Sequence, residues 1–277
     1  MKYTNPLFVA NLLFVAALTL SLNSYSQKRN EEVFITKWAP KNLKVDGKLN
    51  DWTDSLLFNE TTKLSYTISS NDSTIFVGIK NKDLRELTKI LSSGISFSVN
   101  TQGKKKALAT ITFPIAERPA VRVIPKFKDA VPSPEEIKKM NKEMLSRVKS
   151  IKINGFKEIM DGTISLYNTY GIKAATTFNE KDELEIELAI PLSSLGIDQN
   201  FKDPIFYNIK VNGPARSVNP GGRDLSNGRS GGMNNGGRMG GGMYDRRMGG
   251  IDRNKTFSSS EFWIKSTLAK NLGNIHE

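Results

Sequence analysis

Three sets of residues in this 277-residue chain could do chemistry: three tryptophans, a scatter of aspartates and glutamates, and a run of arginines among glycines. Trp38, Trp52 and Trp263 could each hold a sugar, because the C–H face of a pyranose packs on an aromatic ring while nearby polar groups take its hydroxyls. Core packing is the commoner use of an aromatic side chain, and the positions of Trp52 and Trp263 suit that use too. Asp46, Asp51, Asp72 and Asp83 could offer oxygens to a calcium ion, but no EF-hand spacing joins them, and turn formation is the commoner role of aspartate. The sole histidine, His276, stands next to the last residue, and cysteine is absent. Ser-His-Asp and Cys-His catalysis, thiolate metal sites and disulfides are therefore excluded. A hydrolase built on two carboxylates stays compatible with the composition, yet no pair stands out. No catalytic residue is assigned, and the chain reads as a binding protein rather than an enzyme.

The arginines concentrate in a segment from Gly213 to Gly250, where glycines are interleaved with Arg216, Arg223, Arg229, Arg238, Arg246 and Arg247 and with four methionines. Such a stretch cannot recover its ordering entropy by burial, so it is expected to be a disordered loop inserted before the last strand. Arg216 and Arg223 are its candidate contacts for an anionic surface polymer or a protein partner. The formal charge of +12 favours anionic partners in general. Nucleic acid is disfavoured, since Tyr244 is the only aromatic residue in the segment and no phosphate-cradling glycine motif precedes a helix.

Residues 1–26 have the layout of a signal peptide: Lys2, an apolar run from Leu7 to Leu22 interrupted by Asn11, and a small-polar end at Ser24-Tyr25-Ser26. The run is shorter than the roughly 20 residues that span a bilayer core. Cleavage is expected near Ser26, giving an exported chain, periplasmic or extracellular, with no transmembrane span in its mature part. Residues 27–277 are then long enough for one domain with its own core.

The elements that must position these residues are short β-strands. Runs rich in β-branched and aromatic residues recur at Val33 to Ile35, Leu64 to Ile68, Thr74 to Ile79, Ile95 to Val99 and Ala107 to Phe113. They recur again at Ile164 to Tyr167, Ile172 to Thr177, Leu184 to Ile190, Ile205 to Val211 and Phe257 to Ile264, with turn residues between them. Asn71-Asp72 and Asn179 to Asp182 read as hairpin turns. The strict alternation of Leu184-Glu185-Ile186-Glu187-Leu188 places one face on a core and leaves Glu183, Glu185 and Glu187 solvated. Ser133-Pro134-Glu135-Glu136 supplies an N-cap, a first-turn proline and a capping box for an inserted amphipathic helix over 133–149. Its stripe Ile137, Met140, Met144 and Val148 is expected to pack on the sandwich. A shorter helix is expected from Leu84 to Leu91. The fold class is mainly β, an antiparallel β-sandwich of jelly-roll type.

One motif resembles a known family. Asp46-Gly47-Lys48-Leu49-Asn50-Asp51-Trp52 is similar to the opening "DG-x-L-x-x-W" signature of family 9 carbohydrate-binding modules. Thr74 to Asp83 resembles their "L-Y-V-x-x-x-x-x-D" strand after the first turn, and Leu184 to Pro191 with Leu195-Gly196 resembles their "E-x-x-I-P-x-x-x-L-G" strand and turn. Phe206 to Ile209 resembles a later strand, with Phe262-Trp263 on the closing one. The helix near 132–149 and the Gly/Arg/Met-rich segment depart from a minimal module. The resemblance, which spans Lys44 to Ile264, implies a non-catalytic module that grips a sugar between tryptophans and carries structural calcium. Its expected partner is a glycan or another envelope polymer. An interaction protein on the same fold, or an accessory part of a glycan-degrading system, is the alternative.

Overall fold

Alternating apolar and polar residues put one face of each strand on a shared interior, and two sheets close over it. The computed structural model describes residues 34–52, 55–116, 133–213 and 258–270. The leader expected over 1–26 and the Gly/Arg/Met-rich segment beyond Gly213 lie outside them, as do Arg216 and Arg223.

The seven-stranded sheet contains β1 (Phe34–Ile35), β6 (Ile95–Asn100), β7 (Ala109–Ala116), β8 (Val148–Asn154), β9 (Gly162–Ser165), β12 (Ile205–Val211) and β13 (Ser260–Thr267). Its order is β1-β13-β12-β6-β7-β8-β9. The six-stranded sheet contains β2 (Lys37–Trp38), β3 (Leu57–Asn59), β4 (Leu64–Ser70), β5 (Thr74–Asn81), β10 (Lys173–Phe178) and β11 (Leu184–Pro191). Its order is β10-β11-β5-β4-β2, with β3 also paired to β4. Pairing is antiparallel throughout the described residues except for the short β1–β13 and β2–β4 contacts. This is the mainly β sandwich that the strand pattern leads one to expect.

Phe97, Ile111, Ile151, Ile153, Tyr207 and Ile209 from one sheet join Leu64, Ile68, Val77, Ile79, Ile186 and Leu188 from the other in a single buried cluster. Each fully buried side chain of this size contributes about 2 kcal/mol by leaving water. Asn71 closes the β4–β5 hairpin by accepting the amide protons of Ser73 and Thr74 at 3.0 and 2.8 Å. Asn179 closes the β10–β11 hairpin in the same way, through Lys181 and Glu183.

Two α-helices cover one end. Helix α1 (Leu84–Ser93) is capped by Asp83, which accepts from the amides of Arg85 and Glu86, and it ends at Gly94 with φ 74°. Helix α2 (Pro134–Ser146) has the full capping box, Ser133 with Glu136. It stops sooner than the sequence pattern suggests, because Val148 opens β8 and is not the last member of the helical stripe. The alternation of Ile151 and Ile153 with Lys152 and Asn154 takes over there, with the two isoleucines buried in the core. Met144 and Leu145 pack against the core. Ile137 and Met140, by contrast, remain 44% and 38% exposed, so the stripe docks only at its C-terminal end.

Candidate functional site

The segment Lys44 to Trp52 lies as a strap across the outer face of the six-stranded sheet, and strand β11 holds it there. Glu187 accepts from the backbone amides of Asp46 and Gly47 through one carboxylate oxygen, at 2.9 and 2.8 Å. Its other oxygen accepts from the indole N–H of Trp52 at 2.8 Å. Glu185 accepts from the amide of Leu49 at 3.0 Å and from the Asn179 side chain at 3.0 Å. Both glutamates are therefore buried, Glu185 to 5% and Glu187 to 1% exposure, and are not the solvated residues that alternation suggests. Alternation does place them on the outer face of the sheet, but that face is covered by the strap. Glu183 is also largely shielded, between Lys80 at 3.8 Å and Lys82 at 3.4 Å.

Small residues let the strap lie close. Gly47 has φ +87°, and a Cβ there would stand 2.9 Å from the backbone of Thr176. Gly78 on β5 leaves room for Leu49 and Trp52, which a Cβ would meet at 3.0 and 3.1 Å. Burial raises the carboxyl pKa of Glu187, the three donated hydrogen bonds oppose this, and the nearby charge of Asp46 adds to the rise. For Glu183 burial also pushes upward, but the hydrogen bond from Asn179 and the charges of Lys82 and Lys80 win, and the net direction is down.

A cavity of about 590 Å³ is an open cleft lined by β10, the turn that precedes it, the end of α2 and the strap. Val45 from the strap, Phe113, Leu145, Leu166, Ile172 and Thr176 line it, and Tyr167 stands at its rim. The turn between β9 and β10 is built around Asn168. Its amide nitrogen donates to the carbonyls of Ser165 and Ile172 at 3.0 and 2.7 Å, and its oxygen accepts from the amide of Tyr170 at 3.1 Å. With the backbone fixed in this way, the side chains of the turn face outward. Tyr167 is 95% exposed and Tyr170 47% exposed. A turn that presents two aromatic rings to water beside a cleft of mixed polarity can stack on a flat apolar face and offer phenol hydroxyls at its edge.

The three tryptophans do not meet. Trp52 packs against the strap's own sheet with its N–H taken by Glu187. Trp38 borders a separate cavity of about 190 Å³ with Asn71, Asp72, Asn200 and Lys270. Trp263 pairs with Asn208 on the seven-stranded sheet, between residues Phe262 and Ile264 that face the core. The strand pattern puts Tyr167 at the end of a strand running from Ile164, but β9 ends at Ser165, and Tyr167 lies with Tyr170 in the turn that follows. The signal was available in Tyr167-Asn168-Thr169-Tyr170-Gly171, where two aromatics sit among residues that favour turns.

The aspartates have local work. Asp46 accepts from the Lys48 amide, Asp51 from the Lys44 amide, and Asp83 caps α1. Among the described residues no group of three or more His, Cys, Asp or Glu side chains is gathered as a metal would need. Also among the described residues, no helix is long and apolar enough to cross a membrane.

A second cavity, about 300 Å³, lies between α1 and α2 and is lined by Leu84, Leu87, Pro134, Ile137 and Phe178. The Lys138–Asp182 ion pair, at 2.8 Å, ties its helical wall to the β10–β11 turn.

No family model matches the chain, and no curated protein matches it in sequence. Among solved structures the chain is similar to a "putative carbohydrate-binding protein" from Bacteroides uniformis, at 10% identity and a TM-score of 0.33. That match covers 64% of this chain and 82% of the other.

Proposed function

We propose that this protein is an exported, non-catalytic binding module that recognises a carbohydrate or a related envelope polymer at the cleft lined by β10 and the turn that precedes it. The observation that carries the reading is Tyr167, exposed at the edge of a cleft of mixed polarity, with Tyr170 exposed on the same turn that Asn168 fastens. Exposed aromatic surface of this kind is costly to leave in water and is characteristic of binding sites. The resemblance of Asp46 to Trp52 to the family 9 signature, and the leader-like residues 1–26, support the same reading. Trp52 gives its N–H to Glu187, which favours the tyrosines over Trp52 as the sugar platform. Trp38, beside its own small polar cavity, and the outward-facing, partly exposed Trp263 are the remaining tryptophan candidates.

A glycan array and a polysaccharide pull-down with the chain from Gln27 test this, run with calcium present and with calcium chelated. Binding should be lost in Tyr167→Ala/Tyr170→Ala, survive in Trp38→Ala, and survive deletion of residues 221–250. Loss only on that deletion would transfer the function to Arg223 and its neighbours and overturn the cleft reading. Loss of binding on chelation would add calcium to the site; binding unchanged by chelation would leave the sugar site independent of metal.

A second reading is favoured by the groove between α1 and α2, where Leu84 is 74% exposed beside Ile137. In that reading the domain is an interaction protein, and Leu84→Asp abolishes capture of its partner while glycan binding stays absent.

A further inference from the structure

The buried carboxylate of Glu187 is not used by the binding reading above, and its surroundings are unusual. Three donors converge on it, namely the amides of Asp46 and Gly47 on one oxygen and the Trp52 indole on the other. A carboxylate only accepts, so it satisfies all three. A glutamine side chain would turn its own N–H2 toward a donor whichever way it was flipped. Burying an ionised group is costly unless every lone pair is used. The cost of burying the carboxylate is offset by the three donors it satisfies, and all three belong to the strap.

That placement has one consequence at the cleft. Val45 directly precedes the latched Asp46 and forms part of the cleft wall. Gly47 rests on the backbone of Thr176, another wall residue, and Thr176 in turn donates its hydroxyl to the Glu185 carbonyl at 2.8 Å. Two lining residues are thus set by the latch, one from each side of the strap–β10 contact.

We propose that Glu187 is the positioning residue of the cleft. By accepting the protons of Asp46, Gly47 and Trp52, its carboxylate holds the strap so that Val45 stays in place as a cleft wall. Glu185, through the Leu49 amide, extends the same hold. The functional meaning of this inference rests on the binding reading, but its test does not need a glycan.

The test is residue-resolved hydrogen exchange at Asp46, Gly47 and Leu49, together with the methyl resonances of Val45, in the full chain. Glu187→Gln should speed exchange at Asp46 and Gly47 by about tenfold, as expected for loss of one charge-assisted hydrogen bond. It should also shift or broaden the Val45 methyls, while exchange in β5 and β12 stays as in the parent. Adding Trp52→Phe to Glu187→Gln removes the donor that opposes the new amide, so the double variant should recover part of the protection. The two changes should be clearly non-additive. Trp52→Phe alone, which keeps a ring over Gly78, should move the same signals by less, and it carries the test if Glu187→Gln does not fold. Strictly additive effects, or faster exchange spread evenly over the sandwich, would mean Glu187 serves global stability only and would overturn the proposal. So would unchanged Val45 methyls in both single variants. A protein that passes this test yet binds no glycan keeps its latch and loses only the binding reading.

Discussion

The strap over β11 and the turn between β9 and β10 both carry aromatic residues among glycine, asparagine and aspartate, and they use them in opposite ways. In the strap, Trp52 is half-covered and its N–H is taken by a buried carboxylate. In the turn, Asn168 uses every polar group it has on the backbone, and the two tyrosines are left facing water. A polar group that holds an aromatic residue makes structure, whereas a polar group that holds only the backbone frees the aromatics to bind. The distinctive motif is therefore the structural region, and the plain-looking turn is the candidate site.

The comparison breaks most forcefully at Glu187. Glu187→Ala leaves three donors without an acceptor and should destabilise the domain by about 3 kcal/mol, read as a lowered denaturation midpoint with little change in slope. A loss below about 1 kcal/mol would show that water replaces the carboxylate and that the strap is not latched.

Gly47→Ala comes next, since its φ is unfavourable for a side chain and its Cβ would meet Thr176 backbone at 2.9 Å. About 2 kcal/mol of destabilisation is expected by the same measurement. Gly103 provides the control: it also has positive φ but nothing within 4 Å, and Gly103→Ala should cost only about 1 kcal/mol.

Tyr167→Ala should separate the two regions in the other direction. With 95% of the residue exposed, its removal should change stability by less than about 0.5 kcal/mol while weakening glycan binding about tenfold. A stability loss like that of Glu187→Ala would place Tyr167 among the packing residues.

The smallest expected effect is in pH dependence, where two glutamates on or beside β11 act with opposite sign. Glu187 has a folded-state pKa above its ordinary value. The pH-dependent part of its contribution is favourable at low pH and declines as pH rises through the raised pKa, while the three accepted hydrogen bonds still hold the strap in the ionised form. Glu183 has a folded-state pKa below its ordinary value, with Asn179, Lys82 and Lys80 outweighing burial. Its contribution is present above the ordinary glutamate pKa and is lost as pH falls through the lowered one. Denaturation midpoints measured against pH should therefore change slope in opposite directions in Glu187→Gln and Glu183→Gln. Parallel changes would refute the assignment of burial to one and ion pairing to the other.

Much of this fold is legible in the residues. The alternation at Leu184 to Leu188, the Asn71 and Asn179 turns and the capping box at Ser133 act locally, over two to four residues, and local physics decides them. Strand β8 was hidden because Val148 also fits the spacing of the preceding helix, and a short β-branched run does not announce which period governs it. The strap could be recognised as a motif but not as a latch, because Asp46 and Glu187 are 141 residues apart in the chain.

By itself, then, the sequence determined the mainly β architecture, the hairpins, the two capped helices and the lack of histidine or cysteine chemistry. Tertiary structure alone decided which outward-facing residues meet water. Period-two alternation says only which side of a strand a residue takes, and another part of the chain may lie on that side. The strap lies over Glu185 and Glu187 and turns an exposed face into a buried one, while the described residues leave Tyr167 uncovered at the mouth of the cleft.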